Sequence, residues 1–192
     1  YDCPAVIQFA RQHYPQQPLI WIGHSVGGHM LGMMENCHTD LLEKAITVAS
    51  GTGTWWSNAA PTTRVAWFLW YVLVPVLVPI FGYFPGNKIK IMCDMPKGVI
   101  MQWRRWCLHK DYAIGKEGDW LRQRFAGVKT PITAMSFSDD DMMSPKNIQR
   151  LHHSFSQAPQ THIHIRPQDV EQKAIRHIGW HKERYRQLWE RY

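Results

Sequence analysis

The apolar positions along this chain change period several times, and each change marks an element. Val6, Phe9, Ala10 and Tyr14 recur at helical spacing behind Asp2, whose carboxylate can cap a helix, and the proline-bearing stretch up to Pro18 ends the run. Leu19 to Ile22 is a continuous apolar run, the pattern of a strand covered on both faces. Val26 to Glu35 reads as a helix and Ala45 to Ala49 as a second buried strand. Pro131 to Met135 predicts a third strand, followed by an acidic turn and a helix from Pro145 to Phe155. Thr161 to Ile165 predicts a fourth strand, and Gly179 to Tyr192 a closing helix with Tyr185, Leu188, Trp189 and Tyr192 on one stripe.

Short buried strands alternating with helices predict an α/β fold with a mostly parallel sheet. The alternation breaks between β-like runs at residues 54–126, a segment too long for a crossover helix. It divides the chain into a core segment at 1–53, an inserted helical cap at 54–126 and a second core segment at 127–192. Inside the insertion, Val65 to Gly82 carries no charged residue and approaches membrane-spanning length. Pro75, Pro79 and the turn Gly82-Tyr83-Phe84-Pro85-Gly86 favour a kinked pair of apolar helices over a span.

Composition narrows the class. With 192 residues, 45% hydrophobic and 19% charged, the chain can build one domain with a real core. No secretory pattern opens it, and a first residue other than Met reads as a processed chain or part of a longer one. Four scattered cysteines without a CxxC pair fit a reduced, cytoplasmic setting. The net charge of +7 is concentrated: between Gly86 and Lys129, ten Lys/Arg face four Asp/Glu, and seven of the ten tryptophans lie between Trp55 and Trp120. Basic residues among tryptophans suit an acidic membrane surface or amphiphile, so the chain is expected to touch a membrane peripherally through the cap. No nucleic-acid-binding signature accompanies the charge, and no nucleic-acid partner is expected.

The chemistry centres on Gly23-His24-Ser25-Val26-Gly27, where a strand stops and a helix starts. An exposed nucleophile needs a sharp strand-to-helix turn, and glycines relieve the crowding around it. Gly23 and Gly27 would do so beside Ser25, and Gly28 would let the helix pack closely. The N–H of Val26, at the helix N-terminus, points where an oxyanion would form. A serine hydroxyl needs a base, and the base an orienting carboxylate. Asp139, Asp140 and Asp141 follow the third strand; Asp141, four residues before Pro145, is the preferred acid, Asp140 the alternative, and Asp139 is expected to be solvated. His177, in the loop after the last strand, is the expected base, with His181 pointing away and His162 and His164 decorating one strand face. The acidic triplet has no companion ligands at metal-binding spacing, and neither a metal nor another cofactor is expected.

With these residues in view, the sequence resembles the α/β-hydrolase superfamily, nearest to predicted hydrolases of the serine aminopeptidase and monoacylglycerol-lipase-like group. Ile22 to Gly32 resembles their nucleophile elbow, Gly51 to Trp56 the stretch after their next strand, Met95 to Tyr112 their Trp-rich cap segment, and His177 to His181 their histidine loop. The resemblance implies a partial α/β-hydrolase fold and a serine esterase acting on a small-molecule ester or lipid-like substrate with an apolar acyl chain, through an acyl-enzyme. It covers the C-terminal two-thirds of such an enzyme, so the chain reads as a fragment lacking the strands and loop that donate the second oxyanion amide. Loss of one such donor costs roughly 10²–10³ in turnover, which makes the isolated 192 residues a weak or inactive catalyst in expectation. The alternative is a catalytically silent binding or membrane-associated protein on the same frame. Acyl length and oligomeric state are left open.

Overall fold

In a computed structural model describing residues 2–191, with every side chain among them except that of Trp189, the apolar runs become a four-stranded parallel sheet. The chain runs α1 (Asp2–His13), β1 (Ile20–His24), α2 (Val26–Met33), α3 (Asn36–Thr39) and β2 (Lys44–Val48). A helical excursion follows, and the sheet resumes with β5 (Ile132–Phe137), α9 (Pro145–His152) and β6 (Gln160–Ile165). Strand order is β1-β2-β5-β6, with His24 beside Val48, Val48 beside Met135 and Ala134 beside His162. The period of two sorts the core onto both faces: Ala45 and Ile132 pack with Leu31, Phe125 and Phe155, whereas Val48, Met135, Phe137 and Ile165 pack with Tyr185 and Leu188.

One strand expectation needs correction. As the edge strand, β1 is not covered on both faces: Ile20 and Ile22 remain 49% and 60% exposed. An apolar run of four cannot distinguish a central strand from an edge strand with one open face. On β6, His162 and His164 are exposed between Ile163 and Ile165, in line with the alternation.

The excursion carries α4 (Ala60–Phe68), a π-helical turn (Leu69–Leu73) and α5 (Val74–Phe81), then a two-strand ribbon of β3 (Tyr83–Phe84) and β4 (Met95–Pro96). It ends with α6 (Lys97–Cys107), α7 (Tyr112–Glu117) and α8 (Asp119–Ala126). Instead of a kinked pair, residues Ala60–Phe81 form one helical run of 22 residues. Pro75 has no N–H for its helical bond, and the preceding turn absorbs the defect by widening: the Val74 N–H donates to the Leu69 carbonyl, five residues back. The Trp70 carbonyl, whose later donor would be Pro75, instead accepts from Arg104 Nε at 2.7 Å. Gly82 ends the run in the left-handed conformation at φ 75°.

The C-terminal helix is also broken. Its segment forms α10 (Arg176–Gly179), a 3₁₀ turn (Glu183–Tyr185) and α11 (Arg186–Arg191). The break lets Tyr185 turn inward, where it is 1% exposed and donates its hydroxyl to the Ala174 carbonyl. Leu188 is buried with it. Of the expected stripe, Tyr192 and the Trp189 side chain lie outside the described residues.

Candidate active site

A single residue joins β1 to α2. Ser25 stands there at φ 52° and ψ −115°, a conformation that costs about 1–3 kcal/mol in a non-glycine residue and persists only where its surroundings overdetermine it. They do so here: the Ser25 N–H donates to the Val48 carbonyl at 2.9 Å and the Gly28 N–H donates to the Ser25 carbonyl at 3.2 Å. A Cβ on Gly23 would lie 2.5 Å from the Gly27 carbonyl oxygen, and one on Gly28 would collide with the Ser50 side chain. At Gly27 a Cβ would meet nothing within 4 Å, so the crowding that the GxSxG pattern suggests falls on Gly23 and Gly28. Val26 opens α2, and its N–H is among the donors that a helix's first turn leaves without an intrahelical partner.

His177 lies in α10, across the sheet's carboxyl edge from Ser25. Its Nε2 is 3.0 Å from Ser25 Oγ. Its Nδ1 is 3.0 Å and 3.1 Å from the two carboxylate oxygens of Asp140. Both side chains are almost fully buried, 4% exposed for His177 and 1% for Asp140. An ionised carboxylate only accepts, so the neutral imidazole carries its proton on Nδ1 and turns an acceptor, Nε2, toward the serine hydroxyl. Asp140 is fixed in turn by the Met142 and Met143 N–H groups, each 2.8 Å from its Oδ1. The preferred acid is therefore corrected: the imidazole meets Asp140, not Asp141. Asp141 touches only the His177 backbone, its Oδ1 accepting the N–H at 3.4 Å, while its own carbonyl accepts Thr62 Oγ1 at 2.6 Å.

No protein-family model matches the chain, and no curated protein does. Solved structures do match. A soluble variant of monoglyceride lipase from Saccharomyces cerevisiae superposes with a TM-score of 0.62, at 13% identity, over 97% of this chain and 66% of its own. A monoacylglycerol lipase from Paleococcus ferrophilus gives 0.52 at 13% identity, over 98% of this chain and 70% of that one. The esterase domain of a Rhodothermus marinus protein gives 0.50 at 13% identity, over 98% and 63%. The fold is that of the α/β-hydrolases. This chain spans about two thirds of the length of those structures.

On this α/β-hydrolase frame the acidic triplet has three separate jobs, which no composition argument could apportion. Asp139 is not solvated: its Oδ2 accepts the N–H groups of Ile175 at 2.8 Å and Arg176 at 3.1 Å. Asp140 takes the imidazole and Asp141 the N–H of His177. Three successive carboxylates thus hold three successive residues of the histidine loop, including Arg176 at φ 58°. Backbone donors compensate the carboxylates, and among the described residues none of the three has a Lys or Arg ion-pair partner.

His24, beside the serine, is a contributor the sequence pattern did not single out. Its Nε2–H donates to the His177 carbonyl at 2.8 Å, and the two rings lie 5.0 Å apart. Burial holds its imidazole below the usual pKa, which keeps it neutral as that donor. His181 is exposed and outside this network, as its position beyond α10 allows.

A cavity of about 790 Å³ lies between the Ala60–Phe81 run and the loops carrying Asp141 and His177. Its walls are mostly apolar, among them Val65, Leu69, Trp70, Trp103 and Ile175. Ser25 itself is not on its wall; the cavity reaches the reactive end through Ile175, Arg176, Ile178 and Gly179, the residues flanking His177. Of the Trp103-Arg104-Arg105-Trp106 group, only Trp103 lines it. Arg104 holds the Trp70 carbonyl, while Arg105 and the Trp106 indole both bind Glu117. A different cluster, at the start of α3, brings ligand atoms of Glu35, Cys37 and His38 within 4.8 Å of one another, though Glu35 already pairs with Arg124 at 3.0 Å.

Proposed function

We propose that the protein is a serine hydrolase of carboxylic esters with apolar acyl chains. The observation that carries this reading is the unbroken line from Ser25 Oγ to His177 Nε2 at 3.0 Å and from Nδ1 to Asp140 at 3.0 Å, on a frame shared with lipases and an esterase. Ser25 attacks the ester carbonyl as His177 takes its proton. Asp140 holds the productive tautomer and offsets the imidazolium charge. The Val26 N–H stabilises the tetrahedral oxyanion. His177 then protonates the departing alkoxide, leaving an acyl-Ser25. Water, deprotonated by the same imidazole, releases the carboxylic acid and restores the serine. The cavity beneath the helical insertion, acting as a cap, holds the acyl chain.

A fluorophosphonate probe tests the nucleophile without presuming a substrate. Labelling is expected at Ser25 and is lost in Ser25→Ala. A folded wild-type protein that stays unlabelled points instead to a binding protein on a hydrolase frame.

The same reading places the cap on an anionic lipid surface. The most apolar window of the Ala60–Phe81 run has a mean hydropathy of 1.9, yet only 28% of it is buried. Val65 and Ile80 are 56% and 68% exposed, and Trp67, Phe68, Tyr71 and Phe81 share that exposure. Trp70, Val74 and Val78 are buried in the core, so the run lies along the fold rather than through a bilayer. Arg64 near one end and Lys88, over the Phe81 ring at 5.0 Å, add the charge that anionic headgroups attract. Cosedimentation with vesicles containing phosphatidylserine is expected to fall several-fold in Trp67→Glu/Ile80→Glu; equal recovery of both proteins removes the cap as the docking face.

A further inference from the structure

The mouth of the apolar cavity is not apolar. Arg176, Lys182 and Arg184 all line it, all are exposed, and they come from one short stretch that folds around His177. Among the described residues none of the three is in an ion pair: the neighbouring Glu183 is taken by Arg186 at 2.8 Å, and the Arg184 guanidinium lies over the Tyr185 ring at 4.8 Å. Among the described residues Asp141 is the one carboxylate on the cavity wall, and its Oδ1 faces the His177 N–H. Three cations against one carboxylate leave the rim electropositive at the open end of a greasy chamber.

The backbone adds an independent observation. Arg176 is held at φ 58°, a conformation that favours glycine, and the Asp139 carboxylate accepts its N–H to keep it there. Glycine would fill that turn without strain, but it would bring no guanidinium to the rim. The turn fixes Arg176 directly beside His177, where it lines the cavity.

We propose that Arg176, Lys182 and Arg184 form a recognition site for an anionic head group, so that the preferred substrate is an amphiphile with an apolar acyl chain in the cavity and a phosphate or carboxylate at the rim. As a substrate assignment this rests on the serine-hydrolase reading; as a binding site it does not. Arg176 is the best placed of the three to grip an oxyanion: its planar fork can give two parallel N–H bonds where the Lys182 ammonium gives a point charge, and the Arg184 guanidinium already lies over the Tyr185 ring.

Binding is read first, with the non-hydrolysing Ser25→Ala protein, from quenching of its tryptophan fluorescence by monolauroylglycerol and by the phosphate monoester of the same lipid. The phosphorylated lipid is expected to bind roughly tenfold more tightly, the product of three solvent-facing charge pairs each worth a few-fold, and the advantage should shrink as salt is raised. In Arg176→Gln/Lys182→Gln the ratio is expected to fall toward unity, while Arg122→Gln, outside the cavity, leaves it at its wild-type value. Inorganic phosphate is the remaining arm: if it alone competes as well as the lipid phosphate, the rim is a free-anion site and the amphiphile assignment is overturned. Equal affinity for the two lipids, or a preference that survives the double substitution, also overturns it. Turnover of both lipids by the wild type is read separately. A binding preference without turnover sinks the hydrolase reading and leaves the site standing, whereas turnover without a preference does the reverse.

Discussion

Asp140→Asn is expected to lower turnover by roughly 10⁴, whereas Asp141→Asn should change it by less than about tenfold. The contrast follows from who holds each carboxylate. Asp140 Oδ1 accepts two N–H groups, those of Met142 and Met143, at 2.8 Å each. An asparagine there keeps its amide oxygen on those donors and turns its NH₂ toward His177 Nδ1. That nitrogen must then accept, which moves the ring proton to Nε2, where it meets Ser25 and can no longer take the serine proton. The fold survives and the base is lost. At position 141 an amide oxygen still receives the His177 N–H, and the imidazole is untouched. Asp139→Asn likewise keeps an acceptor for the Ile175 and Arg176 N–H groups, while Asp139→Ala frees the strained loop and should cost more. Steady-state kinetics of the three asparagine variants on one ester decide the matter. A larger loss at 141 than at 140 would return the role to the residue that the loop spacing first suggested.

Stability is expected to fall steeply as pH drops from 6.5 to 4, through two histidines that take no part in the chemistry. His29 and His152 are 2% and 1% exposed, and burial pushes both imidazoles down from 6.5 to about 4. Burial holds each neutral, outweighing the backbone carbonyl to which each ring donates. His29 Nε2–H donates to the Gly51 carbonyl at 2.8 Å, its ring lies 5.0 Å from that of Tyr112, and its buried Nδ1, an acceptor in this tautomer, meets no donor among the described residues. His152 donates from Nδ1 to the Ile148 carbonyl and accepts the Thr47 hydroxyl at Nε2, both at 2.7 Å. Below pH 6.5 the unfolded chain binds two protons that the fold refuses, so stability is full above 6.5, declines through that window and levels off below about 4. Each ring accounts for about 3 kcal/mol over the window, a large share of a total stability of about 5–15 kcal/mol. Urea unfolding followed at pH values between 7 and 4.5 should show that slope. Replacing His152 by Gln should remove about half of it, whatever the variant's own stability at neutral pH. A midpoint indifferent to pH above 4.5 would rule out both rings as the source.

The elements most visible in the sequence are those whose cause is local. The β1–Ser25–α2 turn was legible because its glycines answer a crowding within five residues, although that crowding is relieved at Gly23 and Gly28 rather than at Gly27. Three strands were legible from apolar runs bounded by turns, and the fourth from its alternation of His162 and His164 with Ile163 and Ile165. Where an element ends through distant packing, the reading failed. The closing helix breaks so that Tyr185 can reach the Ala174 carbonyl, and the proline-bearing run stays one helix because a π turn and Arg104 repair what Pro75 removes. His24 illustrates the same limit in the site: its partner is the carbonyl of His177, 153 positions away.

What the sequence by itself determined is the alternation that demands a parallel sheet, the serine at its sharp turn, and the order of a carboxylate and a histidine behind it, because periodicity and turn chemistry act over a few residues. Which of three identical carboxylates meets the imidazole was decided only by the tertiary structure. Chemically the three aspartates are equivalent, and a shift of one residue in an irregular loop leaves no trace in composition. Their separate tasks are set by the path of a loop more than thirty residues downstream, whose backbone each of them helps to hold.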